Sequence, residues 1–469
     1  MKKYLTTKFL LLSALTLIHS LFIFETSWYD ESAVIANASK VSITDYFQGL
    51  SWLQSLPLGY FLVVKMLLEL PHGLYLCRIV SLIALVLATI ILDREFFSKL
   101  KNKYLNYLAL ILVMVNSFSL KYATDVKPYT AELLLSTLIL VAVKKSKFKV
   151  LYPLTVLAPF IASTCFIVGI SSMLVMTLRL KTKKLFAPLT ILVFTTWVSS
   201  QTTPMYLRRN MANAWFGDSD SGFLPGIKTT VGALFWLPTS GMGWLPENLS
   251  QITRYYYEVS ASVFVLALAL IFANNAKDVN FQILATCTLV LTTLNITQIL
   301  PSAGRLIQGF CVLLSILVFR SLDKSRNSNR KRISVILLGT ISVAINLGAK
   351  IDSFEPYNPS INFSQTGKIF TERIGGPEIE YRALRQGLIV ESNLILEIKD
   401  NFLLGCSEGR FGEKDRFYLE SNQRFLFGSQ NYLTFHEVSS GFGYYSSNKE
   451  ISIKRSQDPM NSLICFNRN

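Results

Sequence analysis

The chain has 469 residues, 51% of them hydrophobic and 16% charged, with a mean hydropathy of +0.38 and a formal net charge of +16. That is too apolar for a soluble enzyme of this length, and the apolar residues fall in blocks of about 15–20, enough to cross the roughly 30 Å core of a bilayer. The surplus of Lys and Arg is therefore read as membrane topology, with basic residues gathered in cytoplasmic loops, and not as a nucleic-acid surface.

The N-terminus, MKKYLTTKFLLLSALTLIHSLFIF, has the basic start and apolar centre of a signal peptide, but no small-x-small cleavage site follows it. It reads as an uncleaved first helix over about 9–25, with Lys2, Lys3 and Lys8 in the cytoplasm and the polar stretch 26–54 outside. Segment 55–70, SLPLGYFLVVKMLLEL, is apolar but short and carries Lys65 and Glu69. Segment 75–92 crosses and ends at the basic run DREFFSKLKNK. An odd number of crossings must separate 26–54 from that run, so 55–70 is expected to lie along the membrane or to dip in and return.

From there the pattern alternates. Segment 104–120 leads out and 130–143 returns to KKSKFK; a hairpin over 150–178 goes out and back to RLKTKK. Segment 185–200 leads to a long polar loop, 201–254; 255–273 returns to NNAKDVN and 281–300 leads out to PSAGR. Segment 304–320 returns to RSLDKSRNSNRKR, and 333–349 goes out. The expectation is a polytopic α-helical membrane protein with about eleven crossings over 1–349, a cytoplasmic N-terminus and an extracytoplasmic domain over 350–469. That tail alternates polar and apolar residues in RFYLES, NYLTFHEV and EISIKR, which predicts strands and a small α+β or mostly β domain.

Cys77, Cys165, Cys287 and Cys311 lie in apolar segments and read as packing residues. Cys406 and Cys465 lie in the tail and are candidates for a disulfide in an oxidising compartment. There is no CxxC or Cys/His metal pattern, and His19, His72 and His436 are scattered.

Every basic run falls on one side of this topology, and the polar clusters fall on the other. The cytoplasmic loops are too short to fold a nucleotide-binding domain, and neither a P-loop nor a strand-flanked G-x-G-x-x-G occurs. Chemistry on the outer face must then receive an activated group by another route, and a lipid phosphate supplies one. Three clusters fit. WYDESAVIAN places Asp30 and Glu31 just after the first helix, where one carboxylate can act as general base; the plainer alternative is a solvated loop. SLKYATDVKPYTAELLLS gathers Asp125, Lys127 and Tyr129, suited to orienting a phosphate or an acceptor and to stacking on a sugar; the alternative is charges marking the membrane interface. LPSAGRLIQGF starts a helix with Arg305, whose fork of donors fits phosphate; the alternative is an interfacial arginine.

In order and sidedness these motifs resemble those of the GT-C superfamily of integral-membrane glycosyltransferases, nearest to the protein O-mannosyltransferase and lipid A aminoarabinose transferase group. The likeness rests on WYDES, on LQSLPLGYFLVVKML with the later LYLCRIVS, on YATDVKPYTAE and on LPSAGRL, and it covers about residues 5–325. It implies a GT-C-like fold and transfer of a sugar from a polyprenyl-phosphate donor to a glycan, lipid or protein acceptor outside the membrane. It also implies that Asp30, with Glu31 beside it, is the catalytic acid position, that Asp125, Lys127 and Tyr129 form the second loop motif, and that Arg305 lies near the donor phosphate. Gln54, Ser55, Leu56 and Pro57 stand where the aminoarabinose transferases have Glu-Lys-Pro-Pro, which removes the charged pair and the contacts proposed for it. No cofactor is assigned, and a divalent metal is left open. A flippase for lipid-linked sugars is the main alternative; a sugar polymerase or ligase using the same donor, or a structural membrane protein, are others.

Overall fold

The computed structural model describes residues 2–25, 29–48, 50, 56–180, 277–296 and 308–324, helical positions 190, 193, 340, 343, 344, 347, 348, 350, 351 and 381, and seven strands between 368 and 467. The expected crossings over 185–200 and 255–273 and the loop 201–254 lie outside these residues, as does RFYLES, apart from helical positions 190 and 193. The chain divides into two compact units. One comprises Met1–Glu25, Phe47–Gly49 and Ser55–Glu355; the other comprises Thr26–Tyr46, Leu50–Gln54 and Pro356–Asn469.

The first unit is helical. Its described helices are α1 (Lys2–Leu21), α3 (Leu58–Leu68), α4 (Gly73–Glu95), α5 (Lys103–Val115), α6 (Ser117–Tyr122), α7 (Tyr129–Lys144), α8 (Phe148–Ile161), α9 (Cys165–Leu180), α10 (Val279–Ile296) and α11 (Gln308–Lys324); α2 belongs to the second unit. Among the described residues two stretches, Thr6–Phe24 and Gly73–Lys99, are long and apolar enough to cross a membrane. Both turn large apolar side chains outward: Phe9, Leu10 and Leu17 from α1, and Ile79, Ile83, Leu87 and Ile90 from α4, are exposed. Such exposed apolar faces hint at association with a membrane. Helix α3 has 11 residues, about 16 Å at 1.5 Å per residue, which is too short to cross. Its Gly59 lies against the Phe160 carbonyl, where an added Cβ would sit 2.7 Å from the oxygen.

Polar contacts fix the direction of each helix. Lys8 pairs with Asp93 at 2.6 Å, and Arg78 reaches the Ile23 carbonyl, so α1 and α4 run antiparallel. Asn106 donates to Asp93, and His19 Nε2 lies 2.8 Å from the Met114 carbonyl oxygen, which sets α5 alongside α1. Lys145 pairs with Glu95, Cys165 meets the Glu132 carbonyl, Arg179 donates to Gln282, and Arg320 pairs with Asp278. One end of the bundle therefore collects Lys8, Glu95, Lys144, Lys145, Arg179 and Arg320. The other collects Ile23–Glu25, Arg78, Asp125, Glu132 and Gly309.

The expected single helix over 104–120 is broken. Asn116 leaves helical geometry with ψ 159°, its side chain accepts from the Ser119 amide and donates to the carbonyls of Leu112 and Val113, and α6 begins after it. An asparagine that satisfies both helix ends makes the break locally stable.

The second unit contains α2 (Tyr29–Lys40) and the strands β1 (Lys368–Thr371), β2 (Ile389–Ile398), β3 (Phe402–Leu404), β4 (Leu433–Ser439), β5 (Phe442–Ser447), β6 (Ser452–Arg455) and β7 (Leu463–Asn467). All described strand pairs are antiparallel: β1 joins β5 and β7, β2 joins β3, β6 and β7, and β4 joins β5. Strands β4 and β6 fall within NYLTFHEV and EISIKR, where alternation predicted them. The segment 26–54, read from sequence as a polar outside stretch, instead carries α2, whose Ala33, Val34, Ile35, Ala36 and Ala38 are all buried. Consecutive buried positions leave no solvent face, so α2 is a core helix.

Candidate functional site

The segment between α6 and α7 is where the acid, the lysine and the tyrosine of the sequence motif meet. Ala123, Thr124, Asp125, Val126 and Lys127 are all buried. A tight turn places them: the Lys127 amide donates to the Asp125 carbonyl at 2.9 Å, and the Ser81 hydroxyl donates to the same carbonyl at 2.8 Å. Pro128, which cannot donate, precedes α7, and its carbonyl accepts the Glu132 amide at 2.8 Å. Tyr129 opens α7 with its ring edge-on to Tyr122 at a centroid distance of 4.6 Å. Asp125 and Lys127 are thus held at low solvent exposure on a backbone that two donors have already fixed. Burying two ionisable groups in an apolar bundle is costly, which makes this turn the candidate site of the helical unit.

Helix α4 ties this turn to the end of α1. Arg78, one turn before Ser81, is wholly enclosed, and one of its terminal nitrogens (Nη1) donates to the carbonyls of Ile23 at 2.7 Å and Glu25 at 2.5 Å. Those carbonyls end the short helical turn Phe22–Phe24 and would otherwise lack intrahelical donors. The Glu25 carboxylate pairs with Lys350, whose ammonium also lies 5.1 Å from the centre of the Phe22 ring.

Helix α7 ties the turn to the start of α11. The Glu132 carboxylate accepts the Gly309 amide at 3.3 Å, across 177 residues of sequence. Gly309 is the second residue of α11, so the carboxylate faces the positive end of that helix. The two helices approach closely here: a Cβ on Gly309 would lie 2.5 Å from Ser136 Oγ and 2.6 Å from Val168 Cγ2.

Asp30 and Glu31 occupy the first turn of α2, where acidic groups complement the helix dipole. Glu31 is completely buried, which removes the solvated-loop alternative for it. For Asp30 the structure gives the place in the helix and not the side chain. Arg305 lies outside the described residues, as does Cys406; Gly309, four positions after Arg305, is the nearest described glycine of that motif. Cys77, Cys165 and Cys287 are buried free thiols, in keeping with a packing role. Among the described residues no group of three or more His, Cys, Asp and Glu side chains is placed to hold a metal ion.

No family model, curated protein or solved structure matches the chain.

Sequence alone places Arg78 in the LYLCRIVS stretch and Glu132 one turn after the Asp125–Tyr129 cluster, but it assigns neither a role and does not point to Glu25 or Lys350. The signal was present in Arg78 and Glu132, which are ionisable residues inside otherwise apolar helices. Their roles, however, are set by backbone groups distant in sequence. Together they make a polar seam at one end of the helical unit, with the Asp125–Lys127 turn at its centre.

Proposed function

We propose that the chain is a multi-pass membrane glycosyltransferase of the GT-C kind, moving a sugar from a polyprenyl-phosphate donor to an acceptor on the extracytoplasmic face. The observation that carries this reading is the enclosure of Asp125 and Lys127 on one fixed turn of an apolar helical unit. A buried lysine and a buried aspartate two residues apart on one turn suit the binding of an anionic headgroup. The exposed apolar faces of α1 and α4 support the membrane setting, and the gathering of basic residues at the opposite end of the unit supports a cytoplasmic N-terminus. The strand-bearing tail is proposed to be extracytoplasmic.

In this reading Asp30 takes the proton from the acceptor nucleophile, which attacks the anomeric carbon of the lipid-linked sugar with inversion. The bond from that carbon to the phosphate oxygen breaks, and the lipid phosphate leaves. Lys127 and Arg305 stabilise the charge that grows on its oxygens, a contribution on the order of 10²–10³ in rate for a well-placed donor. Glu31 completes the acid pair with Asp30, Asp125 orients the phosphate or the acceptor, and Tyr129 stacks on the sugar or donates a hydrogen bond to it. Purified protein incubated with polyprenyl-phosphate sugars, with and without chelator, should give a glycosylated product by mass spectrometry. Asp30→Asn should abolish that product while leaving expression and folding intact. Product formed by Asp30→Asn would remove the base assignment, and the absence of product with every donor would remove the transferase.

A further inference from the structure

The end of the helical unit opposite the seam carries a charge imbalance at one spot. Helix α4 finishes there at Glu95, followed by Phe96. Lys144 donates to the Glu95 carbonyl and lies 3.6 Å from its carboxylate, while Lys145 pairs with the same carboxylate. Lys144 stands 4.6 Å from the centre of the Phe96 ring, and Arg320, from α11, stands 5.6 Å from it. Lys99 comes against Lys144 from the turn after α4. Four cations thus converge on one aromatic ring, one helix C-terminus and one carboxylate, with Asp278 on the far side of Arg320 at 3.3 Å.

Glu95 and Asp278 neutralise two of the four. The carbonyls at the end of α4 and the ring face attract the remainder without cancelling a full charge. Lys99 against Lys144 is a like-charge contact. A dianion or monoanion between Lys99, Lys144 and Arg320 would turn that repulsion into chelation, and phosphate suits both the point charges of lysine and the planar fork of arginine.

We propose that Lys99, Lys144 and Arg320, gathered around Phe96 where α4, α7 and α11 end, bind the phosphate of an anionic phospholipid headgroup. The proposal rests on the membrane reading above and is independent of the transferase reading. The three helices that supply the cations are apolar up to this point, so the site falls where a bilayer's headgroups lie, and the acyl chains would run along α4, which exposes Ile83, Leu87 and Ile90.

The test is native mass spectrometry of the full-length detergent-purified protein titrated with phosphatidylglycerol, phosphatidylcholine or inorganic phosphate. Phosphatidylglycerol should bind in preference to phosphatidylcholine. Lys99→Ala and Lys144→Ala should each weaken phosphatidylglycerol by about fivefold, the worth of one cation near a membrane surface. Lys144→Arg should restore it. Lys147→Ala and Lys149→Ala, on the same basic face but outside the cluster, serve as the control and should change binding by less than about twofold. Equal losses in the control pair would mean a diffuse basic surface and overturn the site. Inorganic phosphate competing as well as the lipid would mean a soluble anion and overturn the lipid assignment. Because the readout is lipid binding, it stands whether or not the protein transfers a sugar.

Discussion

At the basic end of the helical unit Lys8 and Glu95 are buried but the side chains of Lys145, Arg320 and Asp278 are 40%, 23% and 23% exposed, whereas at the opposite end Arg78, Glu132 and Lys127 are all buried. The first set lies where water can reach, so each ion pair replaces hydration that was available anyway and contributes little. The second set has surrendered its hydration, and every group there needs a partner of fixed geometry. The same residue types therefore do different jobs. At one end they tolerate exchange and set the sign of a surface; at the other they hold three loop segments in a register that a small change would undo.

Substitutions can break or sharpen this contrast. The largest loss is expected from Arg78→Ala, which leaves the carbonyls of Ile23 and Glu25 without their charged donor; two such hydrogen bonds predict a loss of about 3–5 kcal/mol, measured as a lowered unfolding midpoint in detergent. Glu132→Ala comes next at about 2 kcal/mol, whereas Glu132→Gln, which still offers an oxygen to the Gly309 amide, should cost under about 1 kcal/mol. A wild-type midpoint for Glu132→Ala would show that the carboxylate does not fasten α11 to α7. Asn116→Ala removes the side chain that caps α6 and should lower stability by about 1 kcal/mol. The smallest effect belongs to the other end: Lys145→Ala should stay within about 0.5 kcal/mol of the native protein, because Lys145 itself is 40% exposed and Lys144 still lies 3.6 Å from the Glu95 carboxylate. If Lys145→Ala proved as damaging as Arg78→Ala, the distinction between the two ends would fail.

Much of the helical unit was legible because apolar runs bounded by basic residues are long-range signals. Helices α4, α8, α9 and α10 fall where such runs predict helices, and the stretch 55–70, expected to lie along the membrane or to dip in and return, carries the 11-residue α3. The break at Asn116 was not legible, since one asparagine in an apolar stretch reads equally as a tolerated polar residue; what decides is its side chain serving the carbonyls behind it and the amide ahead. Helix α2 was passed over because its acidic start masked the small and apolar residues that follow. At the candidate site the grouping of Asp125, Lys127 and Tyr129 was visible from spacing alone. The contributions of Arg78 and Glu132 were not, because their partners are main-chain atoms 55 and 177 residues away, and backbone groups carry no sequence label.

The absence of a side chain at position 309 has an evolutionary corollary. Even one methyl group there would strike both the Ser136 hydroxyl and the Val168 methyl, so no single replacement at this codon is neutral. Positions 136, 168 and 309 must drift together or stay put: a gain of volume on one helix has to coincide with losses on two others. Random libraries of this gene should return them as a correlated triplet.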